Sequence, residues 1–263
     1  MAIEVFNRYE KKFLLTQNTY EKFIEMISEK MEPDSYSKDG GFYRICNIYY
    51  DTPSDELIRK SINSPVYKEK LRLRSYGTPQ LEDKVYLEIK KKYKGIVNKR
   101  RTTLTLNEAY SYLQTKKRPE YKPYMNKQVL NELDYFINNY DLQPKLFLSY
   151  DRRAYFSKDD RDFRLTFDTN IRCRREDVRL ESGSYGELLL DEDVWLMEVK
   201  ILKSAPLWFT EILSELKVYP ASFSKYGTEY KNMILSKEGE KIICLNQYLQ
   251  QQPTQQFQPL QQF

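Results

Sequence analysis

Residues 67–74 read YKEKLRLR and residues 195–200 read WLMEVK. Strand side chains alternate between faces, so Lys68, Lys70, Arg72 and Arg74 share one side while Leu71 and Leu73 share the other. The same alternation sets a carboxylate beside a cation three times, as Glu10-x-Lys12, Glu88-x-Lys90 and Glu198-x-Lys200. Arginine offers a planar fork matched to phosphate oxygens and lysine a point charge, while a sparse set of carboxylates can hold Mg²⁺ or Mn²⁺ bridging the same phosphates. Arg72 and Arg74, side by side at about 7 Å on one face, repel unless an anion neutralises them. The chain has no histidine, which excludes imidazole acid–base chemistry. Phosphoryl transfer tolerates this, because its loose transition state needs positioning and charge neutralisation more than covalent help.

These faces need strands to carry them. EVFNRYEKKFLLT and FYRICNIYYDT read as strands, and YKEKLRLRSYG, VYLEIKKKY and IVNKRRTTLTL follow as an antiparallel meander broken at Gly77-Thr78-Pro79 and Gly95. KLFLSYDRRAYFS, DFRLTFDTNIRCRRE and VWLMEVKIL add three more. Between them, apolar residues at helical spacing predict helices in NTYEKFIEMISEKM, with Asn18 as its cap, in DELIRKSI, capped from DTPSDE, and in NEAYSYLQT and NKQVLNELDYFINNYD. Two further helices are predicted in APLWFTEILSELKVY, where Pro206 suits a first turn, and KYGTEYKNMILS. The face opposite the charges is apolar: Val85, Leu87 and Ile89 in one strand, Phe163, Leu165 and Phe167 in another, Trp195, Met197, Val199 and Ile201 in a third.

An open antiparallel sheet, one face on a core and one in water, would give this pattern. The arginine enrichment and the glutamates among the cations point instead to strands closed into a barrel, helices covering its apolar outside and charges lining its lumen. The expected fold is thus α+β, a closed eight-stranded antiparallel barrel flanked by helices.

With 263 residues, 40% of them hydrophobic and 14% aromatic, the chain can bury a sizeable core, and residues 1–245 are read as one domain. Residues 246–263, rich in glutamine and punctuated by proline, are read as a disordered tail. The net charge of +5 makes an anionic partner plausible. Cys46, Cys173 and Cys244, far apart and odd in number, indicate neither a disulfide framework nor a zinc site. With no apolar run of membrane-spanning length and no signal-peptide core, the expected location is cytoplasmic.

Eight stretches, RYEKKFLL, NIYYDTP, YKEKLRLRSYG, YLEIKKK, YDRRAYF, FRLTFDTNI, LMEVKI and SKYGTEY, resemble in order and character the VTC domain. This is the polyphosphate polymerase module of the vacuolar transporter chaperone family, within the triphosphate tunnel metalloenzyme (CYTH-like) superfamily. The resemblance spans residues 3–235. It implies a tunnel in which the γ-phosphate of ATP passes to a growing polyphosphate chain, with Mn²⁺ or Mg²⁺ as cofactor. It further implies Lys12, Arg72, Arg74, Lys90, Arg152 and Arg164 as catalytic phosphate ligands, and Tyr150, Ser224 and Lys225 as substrate-phosphate contacts; Lys200 is a further candidate phosphate contact, open to a solvated reading. Glu198 resembles the metal-holding glutamate; Glu10 and Glu88 are candidates for metal or for neutralising cations. Arg8 and Arg100 are open between phosphate contact and solvation, and Asp168 reads as a supporting partner or a turn residue rather than a ligand. One departure is Ser222, where polymerase members, as aligned here, carry a lysine.

The implied partners are ATP and polyphosphate, with a separate membrane protein needed for any export and the oligomeric state left open. Two other functions fit the charge pattern: a triphosphatase of the same superfamily, in which water replaces the acceptor, and a non-catalytic polyanion-binding module. Nucleic-acid stacking would need aromatic residues on the charged faces. They lie mostly opposite, so no specific nucleic-acid partner is expected.

Overall fold

The computed structural model describes residues 9–37, 41–63, 65–94, 96–202 and 204–237. In chain order the elements are β1 (Tyr9–Thr16), α1 (Gln17–Ile27), β2 (Met31–Pro33), β3 (Tyr43–Asp51), α2 (Glu56–Ile62), β4 (Tyr67–Tyr76), β5 (Lys84–Tyr93) and β6 (Ile96–Thr105). There follow α3 (Leu106–Thr115), α4 (Lys127–Asn139), β7 (Gln143–Ser157), β8 (Arg164–Arg174), β9 (Glu187–Leu188), β10 (Val194–Ile201), α5 (Leu207–Glu215) and α6 (Lys225–Lys237). The proposed tail, residues 246–263, together with Cys244 and Arg8, lies outside the described residues.

The expected antiparallel pairing is present; the closed barrel is not. Eight strands run in the order β1-β10-β8-β7-β3-β4-β5-β6, with β2 added against β7 and β9 against β8, making one sheet of ten. Among the described residues no ladder joins β1 to β6. Part of the outer edge of β1 is taken instead by the chain ahead of α6, where the Ala221 amide donates to the Lys12 carbonyl at 2.7 Å. That covers an edge a closing strand would have needed. The sheet still curls until β1 meets the strand next to the other end through side chains, for Lys90 of β5 reaches Glu10 of β1 at 3.5 Å.

The alternating faces explain the layers. On the convex side, Leu71, Leu73, Val85, Leu87, Ile89 and Leu104 pack under α3 and α4, and Phe13, Leu165, Phe167, Met197 and Val199 under α1 and α5. Each such side chain contributes about 1.5–3 kcal/mol by leaving water. The concave side is not uniformly charged as expected. Part of it is apolar, with Tyr49, Leu146, Leu148, Val194 and Leu196 meeting Ile58 of α2 and Tyr226 and Tyr230 of α6. The caps differ in detail from expectation: α1 is capped by Thr16, whose hydroxyl accepts from the Thr19 amide at 3.2 Å, rather than by Asn18. The buried Asp51 carboxylate accepts from the amides of Leu57 and Ile58 at the start of α2, and from the Tyr226 hydroxyl of α6.

Candidate functional site

The ionic part of the concave face holds a cavity of about 250 Å³. Parity and register build it. Lys12 of β1 lies opposite Glu198 of β10, and Glu10 opposite Lys200. Arg72 of β4 lies opposite Glu88 of β5, and Lys70 opposite Lys90, which in turn faces Lys99 of β6. Tyr150 and Arg152 arrive from β7, and Ser224 and Lys225 from the start of α6. Among the described residues nine lysine and arginine side chains line the cavity against two carboxylates, Glu10 and Glu198. That surplus suits a ligand carrying several negative charges.

Carboxylates fix the cations in place. Glu198 receives Lys225 at 3.1 Å and Lys12 and Arg152 at 3.4 Å. Behind it Asp168, fully buried, takes Arg152 through two hydrogen bonds of 2.6 and 2.7 Å and Lys225 at 2.6 Å. The bidentate contact sets the plane of the guanidinium. Burial would raise the Glu198 carboxyl, but Lys225, Lys12 and Arg152 hold it well below the usual range. Burial would likewise lower Lys225, and Asp168 with Glu198 raises it instead. Glu10 touches Lys12 at 3.6 Å and Lys90 at 3.5 Å; against its burial, Lys90 carries it down.

Glu88 resolves the repulsion between Arg72 and Arg74. Only 1% exposed, it meets Arg72 at 2.6 Å, Lys99 at 2.6 Å and Arg74 at 3.7 Å. Its burial would raise its carboxyl, and those three cations bring it well below the ordinary value. The neutralising anion inferred from the two arginines is therefore, in part, an internal one. Arg74 also donates to Asn47 Oδ1 at 2.9 Å and to the Tyr150 hydroxyl at 3.1 Å, so Tyr150 orients an arginine besides lining the cavity.

The cavity thus gathers Lys12, Arg72, Arg74, Lys90, Arg152, Tyr150, Lys200, Ser224, Lys225, Glu10 and Glu198. Two predicted residues stand apart from its lining. Glu88 lies behind Arg72 and Lys99, and Arg164 turns to Asp34 at 3.3 Å and lies over the Phe156 ring. Arg100 faces the convex side and pairs with Glu132 of α4 at 3.4 Å. Sequence reasoning did not single out Tyr49, Lys70, Val97 or Lys99 as site residues. Strand parity carried a signal for the two lysines, since each shares a face with residues that were chosen.

Among the described residues no group of three or more Asp, Glu, His or Cys side chains is placed to hold a metal. Glu10 and Glu198, however, flank one position from neighbouring strands, both within 3.6 Å of the Lys12 ammonium. Such a pair fits Mg²⁺ or Mn²⁺ bound in the manner that uses one or two carboxylates and takes its remaining oxygens from water and substrate phosphate.

The VTC domain family matches the chain over residues 7–234. A solved structure from Bacillus halodurans, provisionally described as an adenylate cyclase, superposes with a TM-score of 0.52 at 17% identity, covering 84% of this chain and 96% of its own. A protein from Hippeastrum, provisionally described as an adenylyl cyclase with a dominant triphosphatase activity, gives a TM-score of 0.48 at 14% identity, with 90% and 98% covered. No curated protein sequence matches the chain.

Proposed function

Since the chain belongs to the VTC domain family, we propose that it is a polyphosphate polymerase, moving the γ-phosphate of ATP onto the end of a polyphosphate chain. The observation that carries this reading is the surplus of nine basic side chains over two carboxylates lining one cavity among the described residues. A terminal oxygen of the acceptor attacks the γ-phosphorus in line as the bond to the β-phosphate oxygen breaks, so ADP leaves and the chain grows by one phosphoryl unit. No protein nucleophile is required. Arg152 and Lys225, held by Asp168 and Glu198, and Arg72 and Arg74, held by Glu88, are already aimed when substrate arrives, so no reorganisation is needed as charge spreads over the transferred group.

Glu198 and Glu10 would hold Mn²⁺ or Mg²⁺. When bound, the ion adds neutralisation of phosphate charge. The reading places the domain in the cytoplasm, where ATP is available, and leaves export of product to a separate membrane protein; no described helix is long and apolar enough to cross a membrane.

Incubation with ATP and Mn²⁺, followed by sizing of the products, tests the proposal. Long phosphate chains are expected from the wild type, and a loss of about 10²-fold or more from Arg72→Ala. Orthophosphate as the sole product would make the protein a triphosphatase, and salt-sensitive binding without turnover would make it a polyanion-binding module.

A further inference from the structure

Lys70 stands where two cavities meet. It lines the ionic cavity and also a second one of about 520 Å³, to which Lys11, Lys68, Lys92 and Lys231 turn as well. Glu10 is the one carboxylate among the described residues lining that second space. The Lys70 ammonium nitrogen lies 3.2 Å from Ser224 Oγ and 5.9 Å from the centre of the Tyr226 ring, both on or beside α6.

Lys70 differs from most of the cavity's basic side chains in having no carboxylate oxygen within 4 Å among the described residues. Lys12, Arg72, Arg74, Lys90, Lys99, Arg152 and Lys225 each have a carboxylate oxygen within 4 Å. Among the described residues Lys70 and Lys200 have none, and Lys200 still feels Glu10 and Glu198 close by. Around Lys70 the charges are Lys68 and Arg72 on its own strand, Lys90 on β5 and Lys12 on β1. Lys99 on β6 and Lys225 on α6 line the same cavity, Lys231 of α6 lines the adjoining one, and Glu10 lines both. An ammonium held away from water among like charges is disfavoured, and burial first, then Lys90 and Lys12, bring Lys70 down to about 7.

We propose that Lys70 binds the phosphate chain at the junction of the two cavities and gains its charge from that event, the amine taking a proton from the buffer as a phosphate oxygen replaces the Ser224 hydroxyl. The inference rests on the reading of the site as a phosphate tunnel. It gives the tunnel a proton-linked contact among cations that are already paired, and it ties the arginine-rich cavity to the lysine-lined one.

Calorimetric titration of the full chain with inorganic tripolyphosphate at pH 8, in two buffers of different ionisation enthalpy, measures affinity and proton exchange together. Lys70→Met is expected to bind about tenfold more weakly than the wild type and to take up about one proton fewer. Lys70→Arg, which keeps a permanent charge, is expected to restore affinity without restoring the proton. An affinity within twofold of wild type for Lys70→Met would overturn the proposal. So would an unchanged proton count in Lys70→Arg, which also decides the matter should the methionine variant not fold. A wild type that binds tripolyphosphate but never extends it would sink the polymerase reading and leave the role of Lys70 standing.

Discussion

Glu88 and Lys70 occupy facing strands and show opposite solutions to one problem, a charge kept from water. Glu88 is surrounded by three cations, so its anion is favoured; Lys70 has cations for neighbours and, among the described residues, no carboxylate oxygen within 4 Å, so its cation is disfavoured. Lys200 follows Lys70, pushed down to about 8 by burial and by Arg164 and Arg152. Both lysines thus hold their protons less tightly in the folded chain than in the unfolded one, for which the ordinary value is 10.5. Between about pH 7 and 10 these two side chains bind more protons in the unfolded chain, and the stability they contribute rises with pH. The depressed carboxyls of Glu88, Glu198 and Glu10 contribute stability that is present above their unfolded value of 4.5 and lost as pH falls through their lower folded values. We therefore expect the denaturant midpoint to rise from pH 7 to pH 9 in the absence of phosphate, and to rise less in Lys70→Met. A midpoint that falls over that interval in the wild type would contradict these assignments. None of this was legible in YKEKLRLR. Alternation told that Lys70 shares a face with Arg72, but its neighbours Lys12 and Ser224 lie far along the chain and come close only through the register of β1 and the placement of α6.

At the scale of elements, α6 connects the apolar and ionic parts of the concave face. Phe223, Tyr226 and Tyr230 fill the apolar part, while Ser224 and Lys225 enter the cavity. Asp51 ties this helix to α2 and β3, since its carboxylate caps α2 and accepts from the Tyr226 hydroxyl at 3.1 Å. Asp51→Ala should cost about 1–2 kcal/mol from the cap alone. By loosening α6 it should also lower phosphate transfer, although residue 51 does not line the cavity. Denaturant unfolding and product sizing on the same variant check both, and full activity at reduced stability would show that α6 is held without Asp51. The strands were largely readable because alternation of charged and apolar residues marks them directly, as in VYLEIKKKY. Helix α1 was readable from its apolar spacing, though Thr16 rather than Asn18 caps it; both residue types cap well, and which one does so depends on where β1 ends.

For the whole molecule, the sequence pattern supported strands in the right number along the main path and the right sidedness, but not their closure. Whether β1 meets β6 depends on how the chain before α6 returns, and the Ala221 amide bond to Lys12 has no signature in the residue types involved. Nor did alternation reveal that α2 and α6 would fill part of the concave face, because Leu148 and Leu196 are as apolar as convex residues and differ from them only in parity. What survives is a curled sheet whose inward basic side chains, drawn from six strands and one helix, surround a space suited to a ligand carrying several negative charges. The most direct test of that account is to supply ATP labelled on its γ-phosphate together with unlabelled tripolyphosphate and Mn²⁺, and to follow the label. Label appearing in chains of four or more phosphates is the predicted result. Label found in orthophosphate alone, with the tripolyphosphate unextended, would contradict it.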